Sequence, residues 1–185
     1  LKNIDQITIK ILEKYNNLVK RKTELISKIK VPMSQPAFDT ETENYMFDVI
    51  KSGWWSQGKI TEQFEKNLSE YFPSNAIVVN NGTSAITAAL LAHGIKPGDK
   101  VVVPDYTFIA TCSAAKIIGA EILVADVDPN TLNVKPQSIE KLVKENDVKA
   151  VMVVDMAGLP VDLEPIIELS KRYKFVLIED AAQAI

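Results

Sequence analysis

The sequence predicts an α/β protein whose mostly parallel sheet carries helices on both faces. From residue 76 onward, short apolar segments of strand length alternate with longer segments of helix length. The short segments are apolar almost throughout, which is typical of strands buried on both sides. Strands that are joined by helices run parallel, and the connecting helices then cover the sheet.

Composition and charge set the class of protein. The chain has 185 residues, of which 46% are hydrophobic and 24% charged, enough for a sizeable core. A formal net charge of −3 argues against non-specific nucleic-acid binding. No signal peptide is visible, and no apolar run approaches the about 20 residues of a transmembrane segment. The single cysteine, Cys112, fits a reducing compartment, so we expect a cytoplasmic protein, and with one histidine a His/Cys metal site is not expected.

The first 30 residues predict a basic amphipathic helix. They carry eight basic and three acidic residues. The apolar residues recur every seven positions, at Ile4, Ile11, Leu18 and Leu25. Such a helix can bind a membrane surface or a partner helix, although it more often packs on its own protein. Prolines at 32 and 36 break the pattern, so we expect residues 1–30 to be an extension and residues 31–185 the main domain.

Two more helices are predicted before the alternating region, over residues 39–51 and 61–71. The loop between them contains Trp54 and Trp55, whose exposure would be costly, so we expect them to contact a core, a subunit or a ligand. The predicted strands that follow are 76–79, 101–103, 121–125, 148–154 and 175–178. The predicted helices between them are 83–93, 108–118, 136–145 and 163–173.

Ligands of open α/β sheets bind beyond the carboxyl ends of the strands, which directs attention to the residues there. After the first predicted strand, Asn81 precedes Gly82, Thr83 and Ser84 at a helix N-terminus. Free backbone N–H groups and two hydroxyls make this a candidate cradle for a phosphate monoester. The motif lacks the lysine of a nucleoside triphosphate loop and the glycines of a dinucleotide site. An N-cap without a ligand is the alternative.

Acidic and aromatic side chains follow the other strands. Asp180 ends the last strand, where a buried carboxylate needs a cationic or strongly donating partner such as a protonated ring nitrogen. Its alternative is to cap the next helix. Phe108 lies at the same sheet edge and either stacks on a flat ring or packs in the core. Asp155 ends the fourth predicted strand; it faces the cleft, caps a helix or is a solvated loop acid.

Together these features suit a flat heteroaromatic phosphate ester, and pyridoxal phosphate is such a molecule. Asp180 would keep its pyridine nitrogen protonated, so that the ring can act as an electron sink. Gln183, three residues further on, could donate a hydrogen bond to the ring hydroxyl.

Several ordered motifs give the chain, from about residue 32, a resemblance to a known family. It resembles the N-terminal part of the DegT/DnrJ/EryC1/StrS sugar aminotransferases, which are pyridoxal-phosphate enzymes of the aspartate-aminotransferase fold (fold type I). The motifs are Gly53-Trp54-Trp55-Ser56-Gln57-Gly58, Asn81-Gly82-Thr83-Ser84, Pro97-Gly98-Asp99, residues 104–111, Gly119-Ala120, Asp126-Val127-Asp128 and residues 179–184.

The resemblance implies a large cofactor-binding domain, of which residues 31–185 are the N-terminal part, with pyridoxal phosphate or pyridoxamine phosphate as cofactor. It implies that Gly82, Thr83 and Ser84 hold the phosphate, that Phe108 stacks on the pyridine, and that Gln183 contacts the ring hydroxyl. Asp180 then pairs with the ring nitrogen. We also expect Asp155 to contact the cofactor. It stands where the family often has His, a difference that bears on the subfamily rather than on the cofactor.

The resemblance also implies an activity. The intact enzyme would move an amino group from an amino acid, glutamate in the first place, to the keto carbon of a nucleotide-linked sugar. It would be a homodimer with sites at the subunit interface.

The family's Schiff-base lysine lies downstream of the motif that contains Asp180 and is absent from this chain. Lys171 and Lys174 precede the last strand and do not replace it. We therefore expect the 185 residues to be part of a longer polypeptide and inactive alone in transamination. The alternatives are a sugar dehydratase of the same family, with His in place of that lysine, a non-catalytic module that binds a ligand or partner, and a plain nucleotide-binding domain.

Overall fold

The computed structural model describes residues 2–26, 36–37 and 39–184. The chain divides into two units, Leu1–Gly58 and Lys59–Ile185, which are taken separately below. All the candidate site residues belong to the second unit.

The first unit contains helices α1 (Lys2–Ile26) and α2 (Thr40–Ser52). The predicted N-terminal helix is therefore present up to Ile26, whereas residues 27–35, with the expected break at 32, lie outside the described residues. In the described ranges no helix combines the length and apolarity needed to cross a membrane. The division into residues 1–30 and 31–185 stays a prediction.

Local hydrogen bonds define the ends of α2 and the loop after it. The Asp39 carboxylate accepts from the backbone N of Thr42 at 2.9 Å, which caps the helix and lowers the pKa of Asp39. Gly53, with φ of 70°, ends it. The indole N–H of Trp54 donates to the Gln57 carbonyl at 2.8 Å. Trp54 and Trp55 are 61% and 77% exposed, so neither is part of a core in this chain.

The second unit is built on a parallel sheet of four strands in the order β2-β1-β3-β4. The strands are β1 (Lys100–Pro104), β2 (Glu121–Ala125), β3 (Val148–Val154) and β4 (Val176–Asp180). The helices are α3 (Lys59–Tyr71), α4 (Gly82–Ala92), α5 (Ile109–Ile117), α6 (Pro136–Glu145) and α7 (Glu164–Tyr173). The predicted α/β class with a parallel sheet is confirmed.

Helices cover both faces of this sheet, as predicted. On one face, Ile139 of α6 and Ile166 of α7 pack against Val151 and Val153 of β3. On the other face, Leu90 of α4 packs in a cluster with alanines of α5 and with Met152. Successive strand residues alternate between the two clusters, as the period of a strand requires. Each fully buried aliphatic side chain stabilises the fold by about 1.5–3 kcal/mol.

The prediction of a strand at residues 76–79 is wrong. This segment is not part of the sheet in the described part of the chain, and Ile77 is 83% exposed. Side chains of α3 bind its backbone instead: Ser69 Oγ accepts from the N–H of Ala76 at 3.0 Å, and Glu65 Oε1 accepts from that of Val78 at 2.8 Å. A run of apolar residues indicates an extended backbone, but it does not show which groups will form hydrogen bonds with that backbone.

Candidate functional site

The N-terminus of α4 has the geometry of an anion-binding helix end. Asn81 adopts an extended conformation, and its side-chain oxygen accepts from the backbone N of Ser84 at 2.8 Å. One of the N–H groups expected in the cradle is therefore already used by the cap. The N–H groups of Gly82 and Thr83 lie in the first turn, where a helix provides no acceptor of its own. A Cβ on Gly82 would meet nothing within 4 Å, so this helix end is open to a ligand.

Asp180 is held by a hydroxyl from the neighbouring helix. It is the last residue of β4, lies opposite Val154 of β3 and is half-buried. Thr111 Oγ1, on α5, donates to Asp180 Oδ2 at 2.9 Å, and the hydroxyls of Thr107 and Thr111 are 2.8 Å apart. The backbone N of Ala182 lies 3.3 Å from the other oxygen, Oδ1. Asp180 therefore faces the side of the sheet that α4 and α5 cover.

Phe108 stands immediately before α5 as its N-cap residue, without a side-chain capping bond. Its side chain is 71% exposed, which excludes the core alternative for this ring. Phe108 has an extended backbone just before the helix, and Thr111, which binds Asp180, lies in the first turn of α5. The aromatic ring and the carboxylate are thus brought to the same end of α5.

Gln183 joins the loop after β4 to the loop after β3. Its Oε1 accepts from the backbone N of Ala157 at 2.6 Å, so its amide nitrogen remains a donor. Ala157 and Gly158 both have positive φ, 55° and 80°. A Cβ at Gly158 would come within 2.9 Å of the Gln183 carbonyl oxygen, so the close approach of the two loops requires glycine there.

The backbone N of Asp155 donates to the Asp180 carbonyl at 3.3 Å, but the Asp155 side chain is not brought together with the other candidate side chains. It is only 4% exposed, and its Oδ1 accepts from the backbone N of Val161 at 2.9 Å, which fixes the turn after β3. Its side chain interacts with that of Glu179. Alternation along β4 puts Glu179 on the opposite face from Asp180. The geometry gives no support to the cofactor contact predicted for Asp155, and its carboxylate is neither a solvated loop acid nor a helix cap.

Two features of the site escaped sequence reasoning. Burial raises the pKa of Glu179, and both the charge of Asp155 and the hydrogen bond that the protonated Glu179 carboxyl donates to Asp155 raise it further. Thr107 and Thr111 form the hydroxyl chain to Asp180, whereas the N-cap that Asn81 forms on the Ser84 N–H was one of the alternatives left open by the sequence. The spacing of four between the two threonines was a signal for a shared helical face, but nothing in the sequence links Thr111 to a residue 69 positions away.

The residues present fit a pyridoxal phosphate group. Asp180 is a half-buried carboxylate supported by a hydroxyl, and within the described part of the chain none of the ion pairs involves it. A protonated ring nitrogen would provide the missing positive charge. The open N-terminus of α4, the exposed ring of Phe108 and the amide donor of Gln183 match the phosphate, ring face and hydroxyl of the same molecule.

Comparison with known proteins gives consistent matches. The model of the DegT/DnrJ/EryC1/StrS aminotransferase family matches residues 36–185. GDP-perosamine synthase from Caulobacter vibrioides is 35% identical over 158 residues, which are 84% of this chain and 42% of that protein.

Solved structures share the fold. An aminotransferase from Psychrobacter cryohalolentis superposes with a TM-score of 0.76 at 36% identity, over 83% of this chain and 40% of that one. NtdA from Bacillus subtilis, with bound cofactor PMP, gives a TM-score of 0.75 at 32% identity, over 84% of this chain and 38% of that one. The chain therefore spans about two fifths of the length of these relatives.

Proposed function

Because the chain belongs to the DegT/DnrJ/EryC1/StrS aminotransferase family, we propose that the protein is a pyridoxal-phosphate-dependent sugar aminotransferase. The substrate would be a keto sugar linked to a nucleotide, and the amino donor an amino acid such as glutamate. The similarity to GDP-perosamine synthase, whose name contains a nucleotide sugar, supports the substrate class. The similarity to NtdA with bound PMP supports the cofactor.

The proposed roles follow from what each residue offers. The N–H groups of Gly82 and Thr83, with the hydroxyls of Thr83 and Ser84, bind the phosphate, because a helix N-terminus favours an anion. Phe108 orients the ring by stacking, and the amide nitrogen of Gln183 donates to the ring hydroxyl. Asp180 holds the proton on the ring nitrogen. When bound, the cofactor supplies an electron sink for the substrate carbon.

One observation carries the proposal: Asp180 is a half-buried carboxylate at a strand end, with a hydroxyl donor and no ion pair in the described residues. Such a group costs free energy unless something positive approaches it. In a plain nucleotide-binding domain, an acid at a strand end accepts hydrogen bonds from ribose hydroxyls, which brings no positive charge to the carboxylate.

Neither Lys171 nor Lys174 is placed to reach the candidate site. Lys171 lies in the last turn of α7, and Lys174 follows that helix. Lys174 is six residues before Asp180, about 20 Å along an extended strand at about 3.3 Å per residue. We therefore propose that these 185 residues bind the cofactor without a covalent bond.

The assembly and domain organisation are proposals as well. Residues 31–185 would be the N-terminal part of the large domain, preceded by residues 1–30 as an extension, and the family match from residue 36 supports this. Exposed apolar side chains on α4 and α5 support a homodimer, with Leu91 55%, Ile109 68% and Ile117 69% exposed. The single cysteine supports a cytoplasmic location.

The test is a calorimetric titration of the 185-residue chain with pyridoxamine phosphate, which measures the dissociation constant. We expect saturable binding that Asp180→Asn weakens at least tenfold, because a neutral amide cannot hold the ring proton. Asp105→Asn is the matched control, since Asp105 is an exposed acid just beyond the end of β1, a strand of the same sheet. Absence of binding by the wild-type chain, or equal loss in the two variants, would contradict the proposed function.

A further inference from the structure

Thr111 occupies an unusual position for a hydroxyl. It is completely buried in the first turn of α5, on the side of the helix whose alanines pack against the sheet. Its Oγ1 is 2.9 Å from Asp180 Oδ2 and 2.8 Å from Thr107 Oγ1. A buried hydroxyl costs free energy unless it is hydrogen-bonded. Here its two hydrogen bonds form a continuous series from Thr107, just before α5, through Thr111 to the Asp180 carboxylate.

The order of donors in this chain of groups can be deduced. An ionised carboxylate only accepts hydrogen bonds, so the single proton of Thr111 points to Asp180. Thr107 must then donate its own proton to Thr111. Two hydroxyls aligned in the same direction polarise each other, which strengthens the bond to the carboxylate.

The two oxygens of Asp180 consequently have different tasks. Oδ2 is bound by a charge-assisted hydrogen bond from a rigid, buried group. Oδ1 has the longer contact, 3.3 Å, from the backbone N of Ala182. Fixing one oxygen sets the side-chain rotation of the carboxylate and leaves the other available to a ligand.

We propose that Thr111, supported by Thr107, is a positioning residue that orients the Asp180 carboxylate toward the protonated ring nitrogen of the cofactor. This inference rests on the proposed function, because it concerns the same site. Thr111 acts through Asp180 and does not touch the ligand. Its effect is therefore specific to ligands that carry the ring nitrogen.

The experiment compares two ligands on the full 185-residue chain: pyridoxamine phosphate and its 1-deaza analogue, in which a C–H group replaces the ring nitrogen. Thr111→Val keeps the shape of the side chain and removes the hydroxyl. We expect it to weaken binding of pyridoxamine phosphate about tenfold, as loss of a hydrogen bond to a charged group implies. Binding of the deaza analogue should stay within about twofold of wild type, since that ligand makes no bond for the carboxylate to lose.

Three further variants make the result specific. Thr111→Ser keeps the hydroxyl and should restore most of the preference for the nitrogen-bearing ligand. Thr107→Val should give a smaller loss of the same kind, and it provides an independent measurement if Thr111→Val does not fold. Ser170→Ala removes another half-buried hydroxyl, which donates to the Phe175 carbonyl at 2.8 Å, and should change binding of neither ligand.

The outcomes separate the two proposals. If the wild-type chain binds neither ligand, or binds both equally, the proposed function fails and this inference with it. If the wild-type chain prefers pyridoxamine phosphate but Thr111→Val weakens both ligands equally or changes neither, the positioning role alone is overturned.

Discussion

Two neighbouring acids at the end of β4 have opposite surroundings. Asp180 faces α5 and receives a hydroxyl hydrogen bond, whereas Glu179 lies on the other face of the sheet beside Asp155. Burial is the main reason why the pKa of Glu179 is raised, and the Asp155 charge adds to it. Two acids that are adjacent in the strand thus differ: Asp180 is suited to a ligand cation, whereas the pKa of Glu179 is raised.

Glu179→Gln should stabilise the protein at neutral pH. The folded chain binds the Glu179 proton more tightly than the unfolded chain, where the pKa is near the ordinary 4.5. The stability that Glu179 contributes is therefore complete below the ordinary pKa and is lost as pH rises through the raised pKa. Because Glu179 is partly solvated, we expect a gain on the order of a few tenths of a kcal/mol at pH 7.

Urea unfolding as a function of pH measures this effect. The variant should lose less stability than wild type between acid and neutral pH. Glu168→Gln, a change at an exposed position of α7, is the control and should follow the wild-type profile. A variant that is less stable than wild type at neutral pH would show that the Glu179 charge is favourable in the fold.

Gly82 allows ligand binding to be tested apart from folding. Its Cβ would lie in open space and its backbone needs no positive φ, so Gly82→Val should change stability by no more than about 0.5 kcal/mol. The added side chain would instead obstruct an approaching phosphate. We expect weaker binding of pyridoxamine phosphate with an almost unchanged unfolding curve, and no weakening in Ala85→Val, at an exposed position of the same helix.

At the scale of elements, the N-terminus of α4 combines a structural cap with the proposed phosphate site. Asn81 caps the helix through Ser84 N, while the preceding N–H groups remain available. The cap uses the N–H group of Ser84, and the proposed phosphate site uses those of Gly82 and Thr83. Substitutions of Asn81 can therefore separate the two functions.

Asn81→Ala should destabilise the second unit by about 1 kcal/mol, because the cap is lost. Asn81→Asp should keep that stability, since Asp caps helices as well as Asn does, but its negative charge should repel a phosphate. Thermal unfolding and ligand titration of both variants check this. Equal phosphate affinity in Asn81→Asp and wild type would indicate that the anion does not bind at this helix end.

The sequence predicted most elements of the second unit, and the exceptions have physical causes. Strands such as β3 are buried on both sides, so their composition alone identifies them. Residues 76–79 have the same apolar character, but pairing depends on partners distant in sequence, and α3 side chains bind their backbone instead. Asp155 and Thr111 show the same limit, because the contacts of Asp155 with Glu179 and of Thr111 with Asp180 join residues that are distant in sequence.

At the scale of the molecule, the sheet separates two apolar clusters in the second unit. Ile139 belongs to the cluster under α6 and α7, and Ile86 to the one under α4 and α5. The two pairs of helices therefore stabilise the same sheet from opposite faces, and the two clusters have no buried residue in common.

Ile139→Val and Ile86→Val should each cost about 0.5–1.5 kcal/mol, the usual effect of deleting one buried methyl group. Because the two sites share no partners, the double variant should show the sum within about 0.5 kcal/mol. Chemical denaturation of the three variants gives the answer. A double variant far from additive would mean that the sheet transmits strain from one face to the other.

The close approach of Gly158 to the Gln183 carbonyl has a consequence for the evolution of this protein. Position 158 has to lack a side chain so that the carbonyl of position 183 can come within contact distance. The position of Gln183, and with it that of its side-chain amide, therefore depends on a residue 25 positions earlier in the sequence. Descendants that acquire any other amino acid at 158 should survive selection only when the 181–184 turn has changed in concert, so the two positions should be inherited as a pair.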